Sequence, residues 1–160
     1  MFEVKALSEN KTDSYAELLT QLDGLTSGEP DPIANMANAA SLIFHSLPDL
    51  NWAGFYRLID GVLVLGPFIG RPACIRIAIG KGVCGTAVAE NATQCVPDVH
   101  AFPGHIACDS ASRSELVVPI SHEGRIIGVL DLDSPSPSRF DEEDALGCER
   151  LMALLAPRIA

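Results

Sequence analysis

The chain has 160 residues, 48% hydrophobic and 20% charged, with a formal net charge of −10. That length fits one domain with a proper core. The charge excludes the clustered basic footprint of a nucleic-acid binder and works against docking on an anionic membrane. The start, Met-Phe-Glu-Val-Lys, lacks the basic and apolar regions of a signal peptide, and no apolar run is long enough to span a bilayer, so the expected location is cytoplasmic. In that compartment five cysteines, an odd number, are expected as thiols rather than as a disulfide framework.

In chain order, residues 1–13 are expected as a loosely ordered segment. Ser14-Tyr15-Ala16-Glu17 is a capping-box pattern that predicts a first helix, with Leu18, Leu22 and Leu25 at helical spacing and Gly28 ending the run. Asp31-Pro32 opens a second helix, Asp as N-cap and Pro at the first helical position, with Ile33, Met36, Ala37, Ala40 and Phe44 as its apolar face and Pro48 as its stop. The period then changes. Asn51–Ile59 reads as a strand with Trp52, Gly54, Tyr56 and Leu58 on one face and Ala53, Phe55, Arg57 and Ile59 on the other. Asp60-Gly61 is a hairpin signal leading back along Val62–Leu65. Pro67 to Pro72 reads as loop, and Ile75, Ile77 and Ile79 alternate as a third strand.

Gly80-Lys81-Gly82 is a turn before a short helix, Val83–Glu90, that Asn91 closes in the left-handed conformation. Gln94–Val96 is a brief strand. After a long loop come two strongly apolar strands, Glu115–Ser121 and Arg125–Asp133, joined at Glu123-Gly124. Asp141 caps a last helix whose buried stripe is Cys148, Leu151, Met152 and Leu155, and Glu142, Glu143 and Asp144 suit its dipole. Tight hairpins imply an antiparallel sheet of about six strands; helices at both chain ends can cover one of its faces, an α+β arrangement.

Two features stand out from this scaffold. The loop His100–Ser114 is long for a compact domain, and such loops are usually functional or disordered. It carries Cys108 among His, Asp, Ser and Arg rather than on an apolar stripe, so Cys108 reads as a reactive thiol more readily than as an inert core cysteine. The second is a set of carboxylates. Asp131 and Asp133 share a strand face, and Glu115 opens the preceding strand; three acids flanking apolar strands are poor core material. Clustered carboxylates raise one another's pKa, so one of them can stay protonated and act as an acid. The pattern describes a pocket with one thiol and three carboxylates, suited to redox chemistry on a small ammonium-bearing substrate.

Other uses of these residues are weaker. His100, His105 and Cys108 fit no standard zinc spacing, so no metal is expected, and Gly80-Lys81-Gly82-Val83-Cys84-Gly85 lacks the Walker pattern. Cys74 follows a Gly/Pro-rich loop and reads evenly as strand-edge core or as a mobile second thiol. Cys84 sits at a helix start, where the dipole favours a thiolate, in a setting that equally suits tight packing. Cys95 and Cys148 read as core. Trp52 and Tyr56 serve equally as core or as the aromatic wall of a methylthio pocket, since sulfur contacts with rings are favourable.

The order of elements resembles a GAF domain, a likeness running from about Tyr15 to the last helix, so residues 1–160 are expected as a single GAF domain with 1–13 as an N-terminal segment. The motifs Asn51-Trp52-Ala53-Gly54-Phe55-Tyr56, Gly82-Val83-Cys84-Gly85-Thr86-Ala87, Pro97-Asp98-Val99-His100, Gly104-His105-Ile106-Ala107-Cys108-Asp109, Ser114-Glu115 and Gly128-Val129-Leu130-Asp131-Leu132-Asp133-Ser134 resemble those of the free methionine-R-sulfoxide reductases. The resemblance implies reduction of free methionine (R)-sulfoxide by cysteine chemistry without a cofactor, regenerated by thioredoxin, in a protein that is often a homodimer. It implies Cys108 as the catalytic cysteine, Cys74 or Cys84 as the thiol that resolves its sulfenic acid, Trp52 and Tyr56 as pocket aromatics, and Glu115, Asp131 and Asp133 as pocket carboxylates, with Glu115 or Asp133 as the acid. The alternatives are a non-catalytic GAF module that binds a small ligand and signals, or a thiol redox sensor.

Overall fold

The computed structural model describes residues 4–104 and 110–160. Four helices and six strands follow in chain order: α1 Lys11–Thr26, α2 Pro32–Ser46, β1 Trp52–Ile59, β2 Val62–Ile69, β3 Arg76–Ala78, α3 Gly82–Glu90, β4 Gln94–Val96, β5 Ser114–His122, β6 Arg125–Ser134 and α4 Glu142–Leu155. The strands form one sheet in the order β3-β2-β1-β6-β5-β4, antiparallel at every pairing. This is the α+β arrangement expected. Asp60 and Gly61 both take positive φ, 50° and 78°, which is what a two-residue turn matching the strand twist needs.

The sheet separates two apolar cores. On one face α1, α2 and α4 bury Leu18, Leu22, Met36, Ile43, Leu151 and Leu155 against Ala53, Phe55, Leu116, Val118, Leu130 and Leu132. On the other, α3 brings Val83, Cys84 and Ala87 onto Trp52, Tyr56, Val117 and Val129. The alternation read in β1 therefore holds, with Trp52 and Tyr56 on one face and Ala53 and Phe55 on the other.

Several local expectations are corrected. The first helix starts at Lys11 with Asn10 as its N-cap, Oδ1 accepting from Asp13 N at 3.1 Å; Ser14 lies within the helix. The earlier start lets Lys11 Nζ reach Asp141 at 2.6 Å and the buried Asp144 at 2.7 Å, a tertiary tie that a local capping pattern does not register. Before this helix, Lys5 N–H donates to Gln21 Oε1 at 2.8 Å and Ser8 N–H donates to Glu17 Oε2 at 2.8 Å. In α2 the buried side is Asn35, Met36, Ala39, Ala40, Leu42 and Ile43, while Ile33 and Ala37 are exposed. Asn35 is drawn inward because its amide donates to the carbonyls of Glu29 and Arg158.

Strand β2 runs on through Pro67 to Ile69, where a loop is expected. Strand β3 has three residues and takes in only Ile77 of the three alternating isoleucines; Ile77 is buried, while Ile75 and Ile79 lie outside this short sheet edge and are exposed. Cys148 is core as expected, at 0% exposure, but Cys95 is exposed on the edge strand β4.

Candidate functional site

Strand register assembles the site. Asp133 pairs with Trp52 on one side and Glu115 on the other; the next row on the same face pairs Asp131 with Gly54 and Val117. Three acids and an indole are thus placed side by side by two antiparallel pairings, although they lie far apart in sequence. Gly54 leaves room for this row: a Cβ there would overlap Phe68 Cβ and lie 2.8 Å from Trp52 Cη2. Phe68, Trp52 and Tyr56 stack in sequence, with ring centroids 5.2 and 6.1 Å apart and planes within 13° and 22°.

Over this face lies a cavity of about 540 Å³, counted with its open mouth. Trp52, Tyr56, Glu115, Asp131, Asp133 and Cys84 line it, as do Arg71, Lys81 and Ser112, which motif reading passed over because neither their residue type nor their spacing marks them. Helix α3 closes one side. Its N-terminus has no side-chain cap, and Gly82, Val83 and Cys84 of its first turn face the cavity. Gly85 allows that approach, since a Cβ there would run into the Ala78 carbonyl oxygen. The segment after β2 closes another side. Trp52 Nε1 donates to the Arg71 carbonyl at 3.1 Å and the Tyr56 hydroxyl donates to the Cys74 carbonyl at 3.0 Å, so the aromatic wall also holds the backbone that carries Cys74.

Burial dominates the electrostatics. Glu115 and Asp131 are 6% and 7% exposed. Burial pushes Glu115 well above the usual carboxylate range, and the neighbouring Asp131 and Asp133 push it further, both favouring its neutral form. Asp131 is raised by burial to about 6, with hydrogen bonds from Cys84 and Glu115 acting in the opposite direction, which leaves it ionised at neutral pH. Its Oδ1 is buried without a hydrogen-bond partner among the described residues. The Cys84 thiol is driven well above its ordinary value by burial and then by Asp131 and Glu115. Cys74 is half-buried.

The long loop is pinned at its described ends. Asp98 caps a short turn over Val99–Ala101. Val99 N donates to the Arg113 carbonyl at 2.9 Å, Arg113 N to the Ser134 carbonyl at 2.8 Å, and Asn51 Nδ2 to Ser112 Oγ at 3.1 Å. The loop therefore returns to the sheet at Ser112, on the cavity wall. Cys108 lies outside the described residues.

The chain matches the GAF domain over residues 33–160. It is 58% identical over 146 residues to Protein YtsP of Bacillus subtilis, covering 90% of each chain. It is 52% identical over 151 residues to the free methionine-R-sulfoxide reductase of Escherichia coli, covering 94% of this chain and 92% of that protein. The solved structure of free methionine-R-sulfoxide reductase from Neisseria meningitidis in complex with its substrate superposes with a TM-score of 0.95 at 43% identity, over 99% of this chain and 96% of that one. With that fold, and with identity of this extent along nearly its whole length, the chain belongs to the free methionine-R-sulfoxide reductases of the GAF domain family.

Proposed function

We propose that this protein reduces the R-sulfoxide of free methionine to methionine through Cys108, and that thioredoxin regenerates it. The observation that carries the reading is the cavity in which the buried carboxyl groups of Glu115 and Asp131, both pushed up by burial, face an aromatic wall, in a chain so similar to a reductase solved with its substrate.

Three tasks fall to separate groups. Asp131, whose Oδ1 has no partner among the described residues, accepts from the substrate ammonium together with Asp133. Lys81 and the uncapped start of α3 offer positive potential to the substrate carboxylate. Trp52 and Tyr56 pack on the methylthio group. The Cys108 thiolate then attacks the sulfoxide sulfur while Glu115 gives its proton to the oxygen. The S–O bond of the substrate breaks, methionine leaves, and Cys108 is left as the sulfenic acid, the oxygen having passed from substrate to enzyme. The Cys74 thiol attacks that sulfur, forming a disulfide and releasing water. A thioredoxin dithiol exchanges with the disulfide and restores both thiols at the cost of its own oxidation. Of the two candidate resolving thiols, half-buried Cys74 suits this step better than Cys84, which is 3% exposed and held protonated.

The test is turnover on separated epimers. Reduced protein with a dithiol reductant should form methionine from free methionine (R)-sulfoxide and little from the S epimer. Absence of methionine from the R epimer would remove the enzymatic reading and favour a ligand-binding or redox-sensing GAF module.

A further inference from the structure

Cys84 matches a cysteine of the family, yet its surroundings are those of a fixed hydrogen-bond donor. It is the third residue of α3, and Gly85 presses that first turn against the Ala78 carbonyl oxygen. The side chain is 3% exposed. Its sulfur and one oxygen each from Glu115 and Asp131 all lie within 4.8 Å of one another. A thiol that must travel to another sulfur needs room and thiolate character; this one has neither.

We propose that Cys84 is a positioning residue, whose S–H donates to the Asp131 carboxylate and so decides which of the neighbouring acids keeps a proton and which stays ionised for the substrate ammonium. The inference rests on reading the cavity as the methionine sulfoxide site. The groups that face one another there are Glu115 on β5, Asp131 and Asp133 on β6, Tyr56 on β1, Lys81 and Cys84 at the start of α3, and Arg71 after β2. Three acids this close together, two of them buried, do not readily all ionise, because like charges and burial both favour the neutral form. A hydrogen bond to the charged form breaks the tie. The Cys84 sulfur and a Glu115 oxygen lie within 4.8 Å of an Asp131 oxygen and lower its titration against the effect of burial, while burial and its acidic neighbours push Glu115 toward the neutral form. Without the Cys84 donor, Asp131 would take up a proton at a higher pH and stop accepting from an ammonium group.

The test compares Cys84→Ala, which deletes the donor, with Cys84→Ser, which keeps one. The first readout needs no substrate: 13C NMR of aspartate-labelled protein follows the carboxyl titrations. Asp131 should titrate about one unit higher in Cys84→Ala than in the wild type, and near the wild-type position in Cys84→Ser. In turnover, a one-unit rise leaves about a third as much Asp131 ionised at pH 6.5, so KM for free methionine (R)-sulfoxide should rise about threefold there and recover by pH 8. That effect should fall on KM rather than kcat, and Cys84→Ser should show none. An Asp131 titration unchanged in Cys84→Ala would overturn the proposal. So would a serine variant as impaired as the alanine one, or a loss of reductant-driven turnover equal at every pH, which would mark Cys84 as a redox partner. A wild type that forms no methionine would refute the proposed reaction instead, and the NMR titration would still decide whether the thiol sets the ionisation of Asp131.

Discussion

Replacing Asp131 by Asn should stabilise the folded protein at neutral pH while weakening its hold on substrate. Asp131 titrates near 6 in the fold against an ordinary 3.8, because burial disfavours its charge more than the hydrogen bonds from Cys84 and Glu115 favour it. The folded pKa is the higher one, so between these values the folded state binds more protons than the unfolded chain, and stability falls as pH rises through the window. Two units correspond to roughly 3 kcal/mol, present below about pH 4 and lost above pH 6. An Asn carries no charge in either state and escapes this loss. Burying its amide costs part of the gain, so the net stabilisation at pH 7 is about 1–3 kcal/mol. For a chain of this size that is roughly 3–10 °C in Tm. Urea denaturation of both proteins at pH 7 and pH 4 checks it. The variant should be the more stable at pH 7, and its advantage should shrink at pH 4, where aspartate is largely protonated in the fold. A variant less stable than the wild type at pH 7, or an advantage that does not change with pH, would refute the reasoning.

Cys108→Ser should form no methionine, since a hydroxyl has almost no nucleophilic anion at neutral pH, whereas Cys74→Ser should release one methionine per chain without reductant and then stall under thioredoxin; quantifying methionine per chain in single-turnover mixes decides both. N-acetyl-methionine sulfoxide has no ammonium for Asp131 and Asp133, and a charge-assisted hydrogen bond is worth about 1.5–3 kcal/mol, so its kcat/KM should fall by about tenfold to a hundredfold or more; equal values for the free and acylated R-sulfoxides would contradict the assigned grip. Gly54→Ala puts a methyl group into Phe68 and 2.8 Å from the Trp52 ring; overpacking of that kind costs about 1–3 kcal/mol or more and should lower the urea midpoint and impair turnover together. Tyr15→Phe removes the hydroxyl that donates at 2.8 Å to buried Asp144, which should cost about 1–3 kcal/mol in the same denaturation assay while leaving kcat/KM unchanged.

What could be read without coordinates follows the range of the forces involved. The twofold period of a strand places Asp131 and Asp133 on one face, and caps and turn residues mark most element ends, because these are effects of near neighbours. Effects that depend on packing between distant segments were misread. Asn10 rather than Ser14 starts α1 because Lys11 is paired across the fold with Asp141 and Asp144. Asn35 turns inward on α2 for two backbone carbonyls, one of them Arg158 at the far end of the chain. Cys95 looks like core by composition, yet it is exposed on β4, a strand at the sheet's edge. At the site, the acids were legible but the partnership of Cys84 with Asp131 was not. It requires α3 to lie over β5 and β6, and the glycine that permits this, Gly85, is set by a contact with Ala78 rather than by its own neighbours.

The sheet between two unequal cores has a consequence for how such a protein tolerates change. Most of the large side chains that resist unfolding, among them Leu18, Phe55, Leu130 and Leu151, lie on the side away from the cavity. Acids kept buried in a pocket are a standing load on stability, and here that load is carried by residues on the far side of the sheet. An engineer could therefore re-line the cavity for another sulfoxide through positions such as Tyr56, Ile77 or Val83 and compensate by improving α1, α2 and α4, with few side chains shared between the two tasks. Only the strands themselves serve both, one residue in two to each side.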